Sequence, residues 1–138
     1  TVLDYTEHEA DAEAAEHLEV EEGTAVVSCT RIRCADGEPI AVLSNLMPAS
    51  MAPTREELEN GGLYDLLRTQ DIIPTTAKQV IGARNATTRE AEQLHERRRA
   101  ALLTATRITY DQSGRVIEYG QHIYRASRYT FETSLFSS

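Results

Sequence analysis

The apolar and polar positions of this 138-residue chain sort into strand-like and helix-like segments. Residues 1–5 (TVLDY) predict a short strand. The stretch EADAEAAEHL then places Ala10, Ala14, Ala15 and Leu18 on one side, a helical pattern that ends by Gly23. Residues 24–34 (TAVVSCTRIRC) predict a strand, followed by the turn Ala35-Asp36-Gly37-Glu38 and a second strand, PIAVLSNLM, closed by Pro48. Asp-Gly between two β-rich runs is a strong hairpin signal. In the looser stretch MAPTREELENGG, Thr54 is placed to cap a helix, with Glu57 as its capping-box partner. A short helix, LYDLLRTQ, follows Gly62, and Pro74 prevents its continuation. Residues 75–86 predict a third long strand, and Thr87 or Thr88 caps a helix, REAEQLHER. The last third reads as three strands: ALLTATRITY, then RVIEYGQHIYR after the turn DQSG, then RYTFETSLF.

The expected order is β-α-β-β-α-β-α-β-β-β. Hairpins without regular strand–helix alternation argue for an α+β fold with a mostly antiparallel sheet and helices packed around it. Neither a repeat nor an internal linker interrupts the chain, so residues 1–138 are expected to form one domain. No apolar run approaches the roughly 18 residues of a membrane helix, and no signal-peptide pattern is present. The absence of Met at position 1 suggests a piece of a longer chain.

Charge narrows the partners. The formal net charge is −8, and acids crowd the front of the chain from Asp4 to Glu22. Such a surface repels phosphate backbones, so any contact with DNA is expected from a separate domain. Cys29 and Cys34 lie five residues apart in one predicted strand and face opposite sides, so they are read as free thiols in a reducing cytoplasm.

Common enzyme signatures are missing: the chain has no G-x-S-x-G, H-E-x-x-H, P-loop or G-x-G-x-x-G motif. His8, His17, His95 and His122 share no metal-ligand spacing and read as surface or satisfied structural histidines. No metal or cofactor is expected. Arg97, Arg98 and Arg99 read as a solvated helix end.

Three groups carry candidate chemistry. In the first long strand Ala25, Val27, Cys29, Arg31 and Arg33 share a face that begins apolar and ends with two guanidinium groups. Like charges so placed are favourable when an anion lies between them, and arginine forks suit carboxylate and phosphate oxygens. Spacing alone equally allows a solvated strand end paired with surface acids. Gly61-Gly62-Leu63-Tyr64 opens a helix, where free N–H groups attract anions; a plain loop before a core helix has the same sequence. Glu118, in an otherwise apolar or neutral strand, must be solvated, paired or functional. Tyr124 shares its side, about 20 Å along a straight strand, so the two meet one small ligand only if the strand bends, with Gly120 a place for that.

At these residues the chain resembles the UTRA domain, the ligand-sensing module of the HutC subfamily of GntR regulators. The resemblance spans essentially the whole chain. It is carried by R-x-R before D-G-x-P (Arg31 to Pro39), GGLYDLL, IGARNATTREAEQL, and the closing G-x-x-x-E…Y-R-x-x-R-Y-x-F. It implies a chorismate-lyase-like fold, dimerisation, an N-terminal winged helix-turn-helix, and DNA affinity altered by a small, often anionic metabolite. It also implies ligand contacts at Arg31, Arg33, Gly62, Leu63, Tyr64, Glu118 and Tyr124.

Two departures from the family pattern bear on the ligand. Many relatives have Ser at the place of Gly62 and Glu at the place of Leu43, so the pocket here is expected to be less polar. An amino-sugar phosphate is accordingly disfavoured against a less hydroxylated ligand with one anionic group. The alternatives are a chorismate-lyase-like enzyme, with Glu118 as acid–base group, and a dimerisation module without a ligand.

Overall fold

The Asp36-Gly37 pair takes positive φ at both residues, 52° and 79°, the backbone a tight two-residue hairpin turn demands. Strands β2 (Ala25–Ala35) and β3 (Glu38–Pro48) are thereby folded into register, with Arg31 opposite Leu43 and Cys29 opposite Asn45. The computed structural model describes residues 1–135. Around this hairpin stand β1 (Val2–Glu9), β4 (Thr76–Asn85), β5 (Ala101–Tyr110) and β6 (Val116–Arg125). All pairings are antiparallel, in the order β1-β2-β3-β6-β5-β4.

Four short helices pack on the two faces. Helix α1 (Ala12–Leu18) starts at Asp11, whose carboxylate accepts from the Ala14 amide, and buries Ala14, Ala15 and Leu18 against Val26 and Val116. Helices α2 (Arg55–Asn60) and α4 (Thr88–Gln93) each begin with a complete capping box, Thr54 with Glu57 and Thr87 with Glu90. Helix α4 buries Ala91, and Leu94 just beyond its end joins Val42 and Leu102 on the α1 face. On the opposite face α2 and α3 (Leu63–Arg68) seat Leu58, Leu63 and Leu67 on Val27, Cys29, Met47 and Ile117. The α+β antiparallel architecture is the expected one.

Four details differ from expectation. Strand β1, expected over residues 1–5, runs through Glu9, and α1 begins only at Ala12 after its Asp11 cap. Two helices, α2 and α3, occupy the stretch counted as one helix in the expected order: the capping box expected at Thr54 starts α2, and α3 follows Gly62. Helix α4 stops at Gln93, since His95 turns to a left-handed φ of 54°. The segment RYTFETSLF forms no strand through residue 135, and residue 136 lies outside the described residues. Cys29 is buried and Cys34 exposed, both as free thiols.

Candidate functional site

The register of the α2–α3 face explains a hollow. Across the strands run the rows Arg33–Ala41–Tyr124–Leu103, Arg31–Leu43–His122–Ala105 and Cys29–Asn45–Gly120–Arg107. Small residues (Ala41, Gly120, Ala105) sit in the middle of the sheet, and long polar ones stand around them. Helix α3 roofs one end. The result is a cavity of about 740 Å³ lined by Arg31, Arg33, Arg68 and Arg107 among others, with Asp65 and Glu118 the acids. In a chain of net charge −8, this concentration of guanidinium groups gives the hollow a local excess of positive charge. Asp65 is already taken by Arg68, at 3.3 Å. A smaller hollow beside α1 is lined by Asp11 and Glu13 and by no arginine, so it lacks this character.

Arg31 is half-buried, its Nη2 donating to Asn45 Oδ1 at 3.3 Å, whereas Arg33 is exposed at the mouth. Glu118 is 1% exposed. Its Oε1 accepts from Thr109 Oγ1 at 2.8 Å and from the Tyr64 hydroxyl at 3.1 Å, and its Oε2 accepts from Asn45 Nδ2. The Tyr64 oxygen in turn accepts from Arg107 Nη1 at 3.2 Å. A continuous chain of polar contacts thus runs Arg31–Asn45–Glu118–Tyr64–Arg107. It holds two guanidinium groups at fixed places and ties α3 to β5 and β6.

Tyr124, buried, stacks on Tyr129 with ring centroids 4.3 Å apart and lies 3.3 Å from His122 Nδ1 through its hydroxyl. Burial, together with the Tyr129 phenol, pushes its hydroxyl pKa up. His122 is the correction among the histidines: it is buried, and its Nε2 has no partner. Burial, helped by Arg107 and Arg31, lowers its pKa to about 4. No group of three or more His, Cys, Asp or Glu side chains that could hold a metal is found among the described residues.

All seven residues expected at the site line this one cavity, in differing ways. Leu63 is 5% exposed and packs in the apolar core, so what it offers a ligand is backbone. Gly62 stands open at the rim, with only Asp65 Oδ2 within 4 Å of where a Cβ would be. Glu118 and Tyr124 reach the same hollow because it is long, with His122 between them. Gly120 serves a different purpose from the expected bend. A Cβ there would lie 2.9 Å from His122 Nε2 and 3.0 Å from Glu118 Oε2, so its absence lets both side chains lean over the same spot.

Asn45, Arg107, Thr109 and His122 are site residues the sequence reading passed over. The period-two alternation that selected Glu118 and Tyr124 also selects His122. The others become visible only once β3, β5 and β6 are known to be neighbours.

An antiparallel sheet with an arginine-lined cavity under a short roofing helix defines a small-molecule-binding domain. Comparison with known proteins gives its family. The UTRA domain family model matches residues 1–130, and the chain belongs to that family. The HTH-type transcriptional repressor NagR of Bacillus subtilis is 32% identical over 132 residues, 94% of this chain and 54% of that protein. The HTH-type transcriptional repressor PhnF of Mycolicibacterium smegmatis is 30% identical, covering 88% of this chain and 51% of that protein. The chain thus spans about half the length of these curated relatives. Among solved structures, a candidate transcriptional regulator of Streptomyces coelicolor shares 45% identity at a TM-score of 0.88, over 96% of this chain and 89% of that one. The effector domain of PhnF from Mycobacterium smegmatis superposes at a TM-score of 0.89 with 26% identity, over 99% and 85%. The chain is homologous to effector-binding domains of GntR-family regulators.

Proposed function

We propose that this chain is the effector-binding domain of a bacterial transcription regulator, working in the cytoplasm beside an N-terminal winged helix that makes the DNA contact. A small anionic metabolite enters the cavity. Arg31 and Arg33 hold its anionic group, the backbone from Gly62 to Tyr64 closes over it, and Glu118 and Tyr124 form the far wall. Glu118 acts largely through Tyr64 and Asn45, which its carboxylate holds in place. Binding then shifts the equilibrium between two arrangements of the DNA-reading domains through its differential affinity for them.

The observation that carries this reading is the cavity itself, lined by four arginines in an acidic chain. An interior closed by protein side chains would have favoured the ligand-free module instead. The lyase alternative loses ground on two counts: the named relatives are transcriptional repressors and regulators, and the Glu118 carboxylate is engaged by three protein donors.

The test is calorimetric titration of a metabolite panel against the wild type and Arg31→Ala. A charged hydrogen bond lost from the site weakens the cognate ligand by about 2 kcal/mol, roughly 30-fold, with the fold intact. Unchanged affinity removes Arg31 from the site. With Leu43 and Gly62 in place of acid and hydroxyl, amino-sugar phosphates are expected to bind poorly, and tight binding of one refutes that selectivity.

The chain is also proposed to act as a homodimer. All ten residues of the edge strand β4 are exposed, Val80 at 71%, and its outer backbone edge has no partner strand among the described residues. An unprotected edge of this length invites a second copy. Sedimentation of the chain as a monomer at high concentration would refute this.

A further inference from the structure

The polar network of the cavity leaves two atoms out. Among the described residues, Arg31 Nε and His122 Nε2 are the buried side-chain nitrogens without a hydrogen-bond partner. They belong to one cross-strand row, on either side of Leu43, and both residues line the same hollow. Buried polar groups are almost always paired, because an unmade hydrogen bond away from water is costly. Two such atoms, on side chains that line one cavity, mark a place for an acceptor.

We propose that His122 is a ligand-binding residue, its Nε2–H and the Nε–H of Arg31 each donating to a small oxyanion seated in this hollow. The inference rests on the effector-binding reading above. The Tyr124 phenol lies 3.3 Å from Nδ1; with the phenol as donor in that contact the proton of the neutral ring sits on Nε2, which is the tautomer this role requires. The depressed pKa keeps the ring neutral near neutral pH, so it stands as a directed donor, with the charge supplied from Arg31 on β2 and Arg107 on β5. The other groups facing it are Leu43 from β3, Tyr64 from α3, and Glu118 and Tyr124 from its own strand. Leu43 puts no competing carboxylate into the row. Glu118 is engaged by Asn45, Tyr64 and Thr109. Gly120 supplies the clearance that lets the ring reach this position.

The experiment titrates the chain with inorganic phosphate while the imidazole nitrogen resonances of its four histidines are followed by NMR. The expected result is a saturable movement of the His122 Nε2 resonance, with the other three histidines still. His122→Leu should then weaken phosphate about tenfold, the loss of one hydrogen bond to an anion, and Arg31→Ala should weaken it as well. The wild-type resonance decides the matter even where the leucine variant folds poorly. Phosphate binding that Arg31→Ala abolishes, with the His122 resonance unmoved and His122→Leu unaffected, overturns the role of His122 and leaves the effector cavity standing. No phosphate binding at all overturns the oxyanion seat, while the effector reading is decided separately by the metabolite titration.

Discussion

Tyr64→Phe removes one hydroxyl from the centre of the polar chain and leaves its ring packed beside Leu63 and Leu67. The lost atom donates to Glu118 at 3.1 Å and accepts from Arg107 at 3.2 Å. Each partner keeps other bonds: Glu118 those from Thr109 and Asn45, Arg107 those to Gln79 at 2.6 and 3.0 Å. No buried charge is therefore stranded. Hydrogen bonds to charged groups contribute about 1.5–3 kcal/mol each, and with this compensation the total loss should be about 2 kcal/mol. No cavity penalty adds to it, because the ring volume is retained. Urea denaturation followed by far-ultraviolet circular dichroism measures it directly. For a slope of about 2 kcal/mol per molar, the midpoint falls by about 1 M with the slope unchanged. A coupling of about 1 kcal/mol with Glu118→Ala in a double-mutant cycle locates the effect in this pair. A fall of less than about 0.3 M would mean that the hydroxyl makes no bond that matters, and the link from α3 to β6 would be lost with it.

Two further predictions concern the frame around the site. Arg84 grips Glu90 through both oxygens, at 2.6 and 2.8 Å, tying β4 to α4. That grip, against burial and aided by the Thr87 cap, lowers the Glu90 pKa from 4.5 to about 2. A depressed carboxylate stabilises above its ordinary range, so this contribution is present above pH 4.5 and disappears as pH falls toward about 2. Because Arg84 is 44% exposed, solvent reduces the effect to about 1 kcal/mol. The stability gap between wild type and Glu90→Gln should accordingly close across that acid range, and a gap that stays constant with pH defeats the assignment. Gly120→Ala places a methyl 2.9 Å from His122 Nε2 and 3.0 Å from Glu118 Oε2. It should cost about 1–2 kcal/mol in thermal or chemical denaturation and displace both side chains from the cavity floor. A variant as stable as the wild type, with its His122 resonances unshifted, contradicts that packing.

Much of the site could be read from residues in one strand at a time. Period-two alternation put Arg31 and Arg33 on one face, and the same rule placed Glu118 with Tyr124 on another strand. It selects His122 with equal force. That residue was passed over because a lone histidine without metal spacing has no signal of its own. Its burial and its unpaired nitrogen are properties of the neighbours that cover it. Arg107 was hidden for a related reason: a single arginine in a strand of threonines and leucines reads as solvated until Tyr64 is found beside it.

By itself the sequence determined the local elements: the Asp36-Gly37 hairpin, the capping boxes at Thr54 and Thr87, and the strand faces, together with the acidic net charge. These depend on interactions within a few residues, on backbone sterics, side-chain caps and the two-residue repeat of a strand, so short stretches of chain suffice to specify them. Tertiary structure alone decided which strands became neighbours. The order β2-β3-β6-β5 sets Arg31, Leu43, His122 and Ala105 side by side, although they lie far apart in the chain. The same long-range pairing left RYTFETSLF without a strand partner through residue 135, whatever its alternation suggested. Strand pairing is bought with loop closure and repaid by burial of whole faces, and neither quantity is written in any single segment.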